Sequence, residues 1–207
     1  MTTAAPEGAG PLRLGVFGGT FDPPHVGHVT VATDVADALE LGRVLWIPAG
    51  RPPHKRGEPL TDAALRMEMT QAAAAGDPRF VVSDLEVGRA GPSYTIDTLR
   101  ALRNAYPDAE LYLILGADQI RTLETGWKEP VEILRIATLV LMDREGETAP
   151  DVAPDLPGME RALHVPVTRV DVSSTQVREA AASGEDLSAL VPRGVAEVIH
   201  REGLYRS

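Results

Sequence analysis

Two histidines, three residues apart, close a segment rich in glycine and proline near the start of the chain. This segment, residues 18–28, follows an apolar run at Leu12–Phe17 and precedes a stretch with helical spacing of apolar residues. Glycines allow close approach of the backbone to a ligand, and the start of a helix favours a phosphate. Imidazole N–H groups placed there can stabilise charge that develops on a phosphoryl group. The segment is Gly18-Gly19-Thr20-Phe21-Asp22-Pro23-Pro24-His25-Val26-Gly27-His28.

The residues around the two histidines narrow the chemistry further. Gly27 lies between them, and we expect its missing side chain to leave room for the ligand. The segment is neither a dinucleotide fingerprint nor a phosphate-binding loop of the Walker type, because G-x-G-x-x-G and G-K-[ST] are both absent. A metal hydrolase built on His25 and His28, with Asp22 as a third ligand, is a weaker alternative.

Three later segments also suit anionic ligands. Lys55, one of only two lysines, lies beside His54 in a proline-rich loop after the second predicted strand. The Pro92–Thr95 stretch opens a predicted helix, where free N–H groups suit a carboxylate. Ser173 and Gln176 form a capping-box pattern at the start of another helix, which can hold phosphates.

The order of the elements predicts how these segments come together. Strand-length apolar runs alternate with helical spacings almost throughout, which is typical of βαβ units in a parallel sheet. We therefore predict an α/β fold, a doubly wound parallel sheet with a small C-terminal helical part. Ligands of such sheets bind beyond the carboxyl ends of the strands, where the strand order reverses. The predicted strands are Leu12–Phe17, Val44–Ile47, Arg79–Val82, Leu111–Leu115, Thr138–Met142, Leu163–Val167 and Arg169–Val172. The predicted helices run from near His28 to a C′ residue at Gly42, and over Ala63–Ala75, Tyr94–Tyr106, Val131–Ile136, Ser173–Ala182 and Val195–Arg201.

Length and composition limit the class of protein. The 207 residues, 43% apolar and 24% charged, suit a folded domain with its own core. The absence of cysteine excludes disulfide frameworks, thiolate metal sites and a cysteine nucleophile. A net charge of −10 disfavours a nucleic-acid partner, and no apolar run approaches the roughly 18 residues of a membrane span. We expect a flexible leader over residues 1–11, a single domain over residues 12–207, a loop or lid over residues 143–160 and a cytoplasmic location.

The segment with the two histidines resembles the signature of the nucleotidylyltransferase superfamily that carries the His-x-Gly-His motif. Within it the chain is similar to the bacterial nicotinate-nucleotide adenylyltransferases, from about Leu12 to Tyr205. Family-like segments at Arg51–Lys55, Pro92–Leu99 and Val172–Arg178 carry the resemblance. It implies a Rossmann-like nucleotidylyltransferase fold and transfer of AMP from ATP to nicotinate mononucleotide, giving deamido-NAD and pyrophosphate in NAD biosynthesis. The implied attack is in-line without a covalent intermediate, and Mg²⁺ is carried with the ATP phosphates.

The same resemblance implies roles for individual residues. The implied catalytic residues are His25, His28 and Arg178. The implied ATP-binding residues are Gly18, Gly19, Thr20, Phe21, His28, Gly116, Asp118, Ser174, Thr175 and Arg178. The implied residues for nicotinate mononucleotide are Asp22, His54, Lys55, Ser93, Tyr94, Thr95, Trp127 and Arg144, with Trp127 stacking on the ring. The final Gly203-Leu204-Tyr205 matches a common family ending and receives no chemical role.

Two classes of alternative stay open at this point. The first keeps the chemistry and changes the acceptor to nicotinamide mononucleotide, phosphopantetheine or glycerol phosphate. The second is a nucleotide-binding regulator without catalysis. The expected partners are ATP and nicotinate mononucleotide, with neither nucleic acid nor membrane, and association into a homo-oligomer is left open.

Overall fold

The structure is a computed structural model that describes residues 10–53, 59–144 and 156–206, and the side chains of Ala117, Asp118, Asp143 and Arg144 are outside this description. Within these ranges six strands form one parallel sheet, with helices on both of its faces. The predicted fold class is therefore confirmed. The strands are β1 Arg13–Gly19, β2 Arg43–Pro48, β3 Phe80–Val82, β4 Glu110–Leu115, β5 Thr138–Arg144 and β6 Leu163–Val167. The helices are α1 Val26–Ala38, α2 Ala63–Ala74, α3 Thr95–Ala105, α4 Ala117–Arg121, α5 Leu123–Gly126, α6 Pro130–Ile136, α7 Ser174–Ser183 and α8 Arg193–Glu202.

The strand order places a crevice beside the end of β1. The sheet runs β3-β2-β1-β4-β5-β6, so the chain builds outward from β1, crosses over and continues from β4 on the other side. Phe17 of β1 is paired with Trp46 of β2 on one side and with Ile114 of β4 on the other. The loops that leave β1 and β4 therefore diverge, and the gap between them is where doubly wound sheets bind ligands.

Both faces of the sheet are buried, which explains the continuous apolar runs of its central strands. Leu14, Val16 and Leu113 point into one core with α3 and α6, whereas Phe17 and Ile114 point into a second core with α1. A third cluster, beside the sheet, joins α2 to α7 and α8. It includes Met69, Val177 and Val195. Helices α7 and α8 of this cluster form the C-terminal helical part that the sequence predicted, and α2 packs against them.

Three predicted elements differ from the structure. Helix α1 ends at Ala38, because Gly42 donates its N–H to Arg13 O and so belongs to the sheet rather than to a helix cap. Arg169–Val172 is irregular, because Val172 packs against the third cluster and no ladder includes the stretch. Strand β5 continues through Arg144, two residues into the predicted loop of residues 143–160. Residues 145–155 of that loop lie outside the described ranges.

The ends of the other elements agree with their turn signals. Ser173 caps α7 by accepting a hydrogen bond from the backbone N–H of Gln176, as the capping-box pattern predicted. Gly184 and Gly203 follow α7 and α8 with φ of 72° and 60°, a backbone conformation that glycine adopts at little cost. Among the described residues no helix is both long and apolar enough to cross a membrane.

Candidate active site

The loop after β1 is shaped by a buried phenylalanine. Phe21 is 2% exposed and has a left-handed φ of 50°, and its ring packs edge-on against His28 with centroids 5.2 Å apart. A Cβ on Gly19 would lie 2.8 Å from the Phe21 ring, so glycine at this position makes room for the ring. The sequence predicted Phe21 as a contact of ATP, and the structure places its side chain in the core against His28.

His25 and His28 face each other at the start of α1. Their ring centroids are 3.8 Å apart, and the backbone N–H of His25 donates to Nδ1 of His28 at 3.1 Å. Because Nδ1 of His28 accepts this bond, the proton of its neutral imidazole lies on Nε2. His25 Nδ1 is buried and has no hydrogen-bond partner within the described residues. The pair therefore holds one imidazole in a defined tautomer and leaves a buried polar atom of the other unpaired.

Both imidazoles are neutral at neutral pH. Burial lowers the pKa of His25 to about 4, and burial together with the neighbouring His25 lowers the pKa of His28 well below its usual value. A neutral imidazole still donates one N–H, so the pair can meet phosphoryl oxygens through hydrogen bonds.

Gly27 makes room for His25. A Cβ at this position would lie 3.1 Å from both Cε1 and Nδ1 of the His25 ring. The sequence interpretation had given that space to a ligand, and the structure shows that the neighbouring imidazole occupies it. Any side chain at position 27 would displace His25 or the start of α1.

The residues predicted to hold phosphates lie against the same loop. Ser174 Oγ donates to the backbone oxygen of Pro23, and Arg178 Nη1 donates to that of Asp22, both at 2.8 Å. Arg178 Nη2 also donates to Thr175 Oγ1 at 3.1 Å. The start of α7, where backbone N–H groups lack partners within the helix, thus lies beside the turn that leads into the two histidines.

The carboxylate of Asp22 is engaged by the protein itself. Its Oδ1 accepts from the Tyr205 hydroxyl at 2.7 Å and its Oδ2 accepts from the backbone N–H of Thr61 at 3.1 Å. Asp22 is only 5% exposed. The sequence predicted it as a contact of the mononucleotide, whereas in the structure both carboxylate oxygens join the loop to other parts of the chain.

Arg66 of α2 ties the loops after β1 and β2 together. It is 1% exposed, and its guanidinium donates to the backbone oxygens of Thr20 and Ala49 at 2.8 and 2.7 Å. It also donates to the backbone oxygens of Gly50 and Thr61. Burial lowers the pKa of Arg66, and the Asp22 carboxylate opposes that effect. One buried cation therefore fixes carbonyl groups of two loops that border the crevice.

A cavity of about 590 Å³ opens on the other side of the β1 loop. That volume is within the range of sites for small ligands, roughly 300–1,000 Å³. Gly18, Gly19 and Thr20, predicted for ATP, line it together with residues predicted for the mononucleotide. A Cβ on Gly18 would meet nothing within 4 Å. The lining residues that were predicted for the mononucleotide are Ser93, Tyr94, Thr95 and Trp127.

The Ser93 hydroxyl supports the wall of this cavity. Its Oγ accepts from the backbone N–H groups of Gly50 and Arg51 at 3.0 and 3.2 Å, and it is also hydrogen-bonded to Glu86. Glu86, 7% exposed, accepts a further bond from Thr98 Oγ1 at 2.6 Å. Burial raises the pKa of Glu86, and the two hydroxyls oppose that effect. Ser93 therefore holds two loops together from beneath the start of α3.

The far wall combines aromatic rings with a cation. Trp127 Nε1 donates to Thr122 Oγ1 at 3.3 Å. Lys128 Nζ lies 5.0 Å from the centre of the Tyr94 ring and 3.5 Å from an oxygen of Asp97. Among the described residues that line the cavity, Lys128 is the only cation. A flat ring with a negative substituent would meet both an aromatic surface and a positive charge here.

For most of the remaining predicted residues, the structure does not describe the side chain. The N–H of Gly116 donates to Gln119 Oε1 at 3.2 Å at the start of α4. Asp118 lies in α4 and Arg144 at the end of β5, but their side chains are outside the described part. His54 and Lys55 lie outside the described ranges altogether. Within those ranges no three or more histidine, cysteine, aspartate or glutamate side chains cluster to hold a metal ion.

Sequence reasoning missed several residues of this region. Lys128 carried a signal, because it is one of two lysines and follows the predicted Trp127. Tyr205 carried one as well, since it closes a family-like ending. Glu86 and Arg66 carried none, because a charged residue in a loop or on a helix is usually solvated.

Comparison with known proteins agrees with the fold and the motifs. A sequence model of the cytidylyltransferase-like family matches residues 16–180. A "Probable nicotinate-nucleotide adenylyltransferase" of Thermus thermophilus is 46% identical over 94% of this chain and all of its own length. One of the same name from Thermomicrobium roseum is 42% identical, over 94% of this chain and 92% of the relative. The nicotinic acid mononucleotide adenylyltransferase of Plasmodium falciparum, solved in complex with NaAD, superposes with a TM-score of 0.72 at 16% identity and covers 93% of this chain and 97% of its own.

Proposed function

The chain belongs to the cytidylyltransferase-like family and, within it, to the bacterial nicotinate-nucleotide adenylyltransferases, and from this premise we propose that it adenylylates nicotinate mononucleotide with ATP. The products are deamido-NAD and pyrophosphate. The observation that carries the proposal is the loop of residues 18–28, which borders both candidate subsites. Its first residues line the cavity, and its middle residues are hydrogen-bonded to α7.

The reaction requires no base from the protein. An oxygen of the mononucleotide 5′-phosphate attacks the α-phosphorus of ATP, and the bond from that phosphorus to the bridging oxygen of the β-phosphate breaks. The electron pair of the broken bond leaves with pyrophosphate. Because the attacking phosphate is already ionised near neutral pH, catalysis rests on alignment and on stabilisation of the charge that develops on the α-phosphoryl group.

The two histidines supply that stabilisation. Nε2–H of His28 donates to a non-bridging oxygen of the α-phosphate, in the tautomer that the His25 N–H fixes. Because both imidazoles are neutral in the free protein, the hydrogen bonds strengthen as negative charge grows on the oxygens. Loss of one such donor typically costs about 10²–10³ in rate.

The start of α7 receives the leaving group. The first N–H groups of this ten-residue helix, with the Ser174 and Thr175 hydroxyls and the Arg178 guanidinium, form a site for the β- and γ-phosphates. Their bonds to Asp22 and Pro23 keep this site at a fixed distance from the histidines. Magnesium enters as part of the substrate MgATP, with most of its ligands from phosphates and water.

The cavity receives the mononucleotide. The pyridine ring stacks on Trp127, and its carboxylate meets the start of α3 at Tyr94–Thr95, where backbone N–H groups favour an anion. Lys128 adds a positive charge on the same wall. An amide in place of the carboxylate loses both electrostatic contributions, so the acid is the preferred acceptor. His54, Lys55, Asp118 and Arg144 keep the ligand contacts that the family resemblance implied.

A stoichiometric assay tests the proposal. The purified chain, incubated with ATP, Mg²⁺ and nicotinate mononucleotide, should release one pyrophosphate for each deamido-NAD formed, with both products identified by mass. Pyrophosphate without the dinucleotide would indicate hydrolysis of ATP. Formation of neither product, with the protein folded and ATP bound, would support the non-catalytic regulator.

A further inference from the structure

The last aromatic residue of the chain reaches the loop that carries the histidines. The Tyr205 hydroxyl donates to Asp22 Oδ1 at 2.7 Å, across 183 residues of sequence. Asp22 is almost fully buried, and its second oxygen accepts from the Thr61 N–H at 3.1 Å. None of the roles proposed above uses this contact, although the final Gly-Leu-Tyr was a recognised motif of the sequence.

The Asp22 contact is one of a set that clamps the loop from the C-terminal third of the chain. Backbone oxygens of Asp22 and Pro23 accept from Arg178 and Ser174 of α7. The N–H of Val26, in the first turn of α1, donates to Leu190 O at 3.0 Å. The stretch between β1 and the histidines is therefore positioned from outside the sheet, by α7 and by residues that follow it in the chain.

The backbone of Tyr205 has an unusual conformation. Its φ is 65°, in the left-handed region that a residue with a side chain rarely adopts. It follows α8, which ends with Gly203 at φ 60°, and the N–H of Leu204 donates to Ile199 O at 3.0 Å. The hydroxyl also approaches Met69 Sδ at 3.9 Å. A strained conformation held by several contacts indicates that the direction of this side chain matters.

We propose that Tyr205 is a positioning residue, which acts through Asp22 to hold the His25–His28 pair in register with the phosphate site of α7. It touches neither substrate. Asp22 precedes His25 by three residues, so a shift of its carboxylate moves the loop that presents both imidazoles. A misplacement of about 1 Å far from the chemistry can cost around 100-fold in rate. The catalytic consequence rests on the proposed function, whereas the effect on the histidines does not.

The test variant is Tyr205→Phe, which removes one donor and keeps the ring. Tyr106→Phe, which removes a hydroxyl just after the far end of α3, is the matched control. Assays are run at 25 °C, after thermal unfolding has shown that each variant is folded there. We expect Tyr205→Phe to lower kcat about tenfold, with KM for ATP and for nicotinate mononucleotide within twofold of the parent. The control should keep the parent kcat.

Two further readouts separate positioning from a loss of stability. In an Asp22→Ala background, where the acceptor is already gone, Tyr205→Phe should lower kcat by less than twofold. An NMR titration of the histidine rings should show the His25 pKa, about 4 in the parent, rising by at least half a unit toward 6.5 in Tyr205→Phe. Unchanged kcat and an unchanged His25 titration would overturn the proposal, as would a tenfold loss that persists in the Asp22→Ala background. A shifted titration in a protein that never makes deamido-NAD would keep the positioning role and remove the proposed function.

Discussion

The backbone N–H of His25 hydrogen-bonds Nδ1 of His28 at 3.1 Å, and this bond fixes which nitrogen of His28 carries its proton. The donor is a main-chain group, so the tautomer of His28 depends on the path of the loop rather than on a second side chain. Since both pKa values lie below neutrality, the pair offers uncharged N–H donors at working pH.

Removal of the His28 donor should abolish most of the activity. We expect His28→Ala to lower kcat by about 10²–10³, because one hydrogen bond to the developing phosphoryl charge is lost. Steady-state kinetics with saturating ATP and nicotinate mononucleotide measure the effect. His200→Ala, at the exposed end of α8, is the control and should keep the parent rate. An active His28→Ala would remove His28 from the mechanism.

Acid should destabilise the protein through the buried histidines. An unfolded histidine binds a proton near pH 6.5, while folded His25 does so only near pH 4, so the unfolded state holds more protons between these values. The contribution of neutral His25 to the free energy of unfolding should therefore be fully present above pH 6.5. It should fall as the pH drops toward 4. The His25 share is on the order of 3 kcal/mol.

Denaturant unfolding from pH 7.5 to 4.5 measures this loss. His25→Ala should show a shallower decline than the parent over this interval. Equal slopes in the two proteins would contradict a lowered pKa of His25.

A methyl group at position 27 should impair catalysis without unfolding the protein. Gly27→Ala places a Cβ 3.1 Å from the His25 ring, which has to move. We expect kcat to fall at least tenfold. The thermal midpoint should change little, because alanine favours a helix over glycine by about 1 kcal/mol, which offsets the cost of moving the His25 ring. Gly76→Ala, where a Cβ would meet nothing within 4 Å, is the control. A Gly27→Ala enzyme with parent kcat would show that the His25 ring needs no fixed place.

Lys128 should contribute to the preference for an acidic acceptor. Replacement by glutamine keeps the length of a polar side chain and removes the charge. A partly exposed ion pair is worth about 0.2–1 kcal/mol, so kcat/KM for nicotinate mononucleotide should fall up to about fivefold. The value for nicotinamide mononucleotide should stay within the error of the measurement. Arg135→Gln, an exposed cation of α6, is the control. Equal losses for both acceptors would assign Lys128 a role in folding or stacking.

Local sequence patterns predicted the fold because the type and order of its strands and helices depend on neighbouring residues. Alternating apolar runs and helical spacings indicated all six strands, and the pairing of β4 with β1 follows from the usual winding of such sheets. The errors came from residues whose partners are distant. A glycine after a helical stretch is typical of a helix end, but the N–H of Gly42 donates to the backbone oxygen of Arg13 in β1. Arg169–Val172 has the composition of a strand, but Val172 packs against the helical cluster.

The sequence predicted site residues where a chemically suitable residue type occurs in a recognisable sequence context, as for the two histidines and Trp127. Contacts between distant parts of the chain were not. Tyr205 and Asp22 are joined across 183 residues, and Arg66 acts through backbone oxygens that have no sequence signal. Such residues become visible only when the fold brings them together. They support the loop that carries the recognised motif.

Adenylyl transfer to an acidic mononucleotide can be tested by comparing two acceptors side by side. Initial rates of pyrophosphate release are measured with MgATP and either nicotinate or nicotinamide mononucleotide at equal concentrations. We expect a rate at least tenfold higher with the acid, because the start of α3 and Lys128 both favour its carboxylate. Equal rates with both acceptors, or a faster rate with the amide, would contradict it.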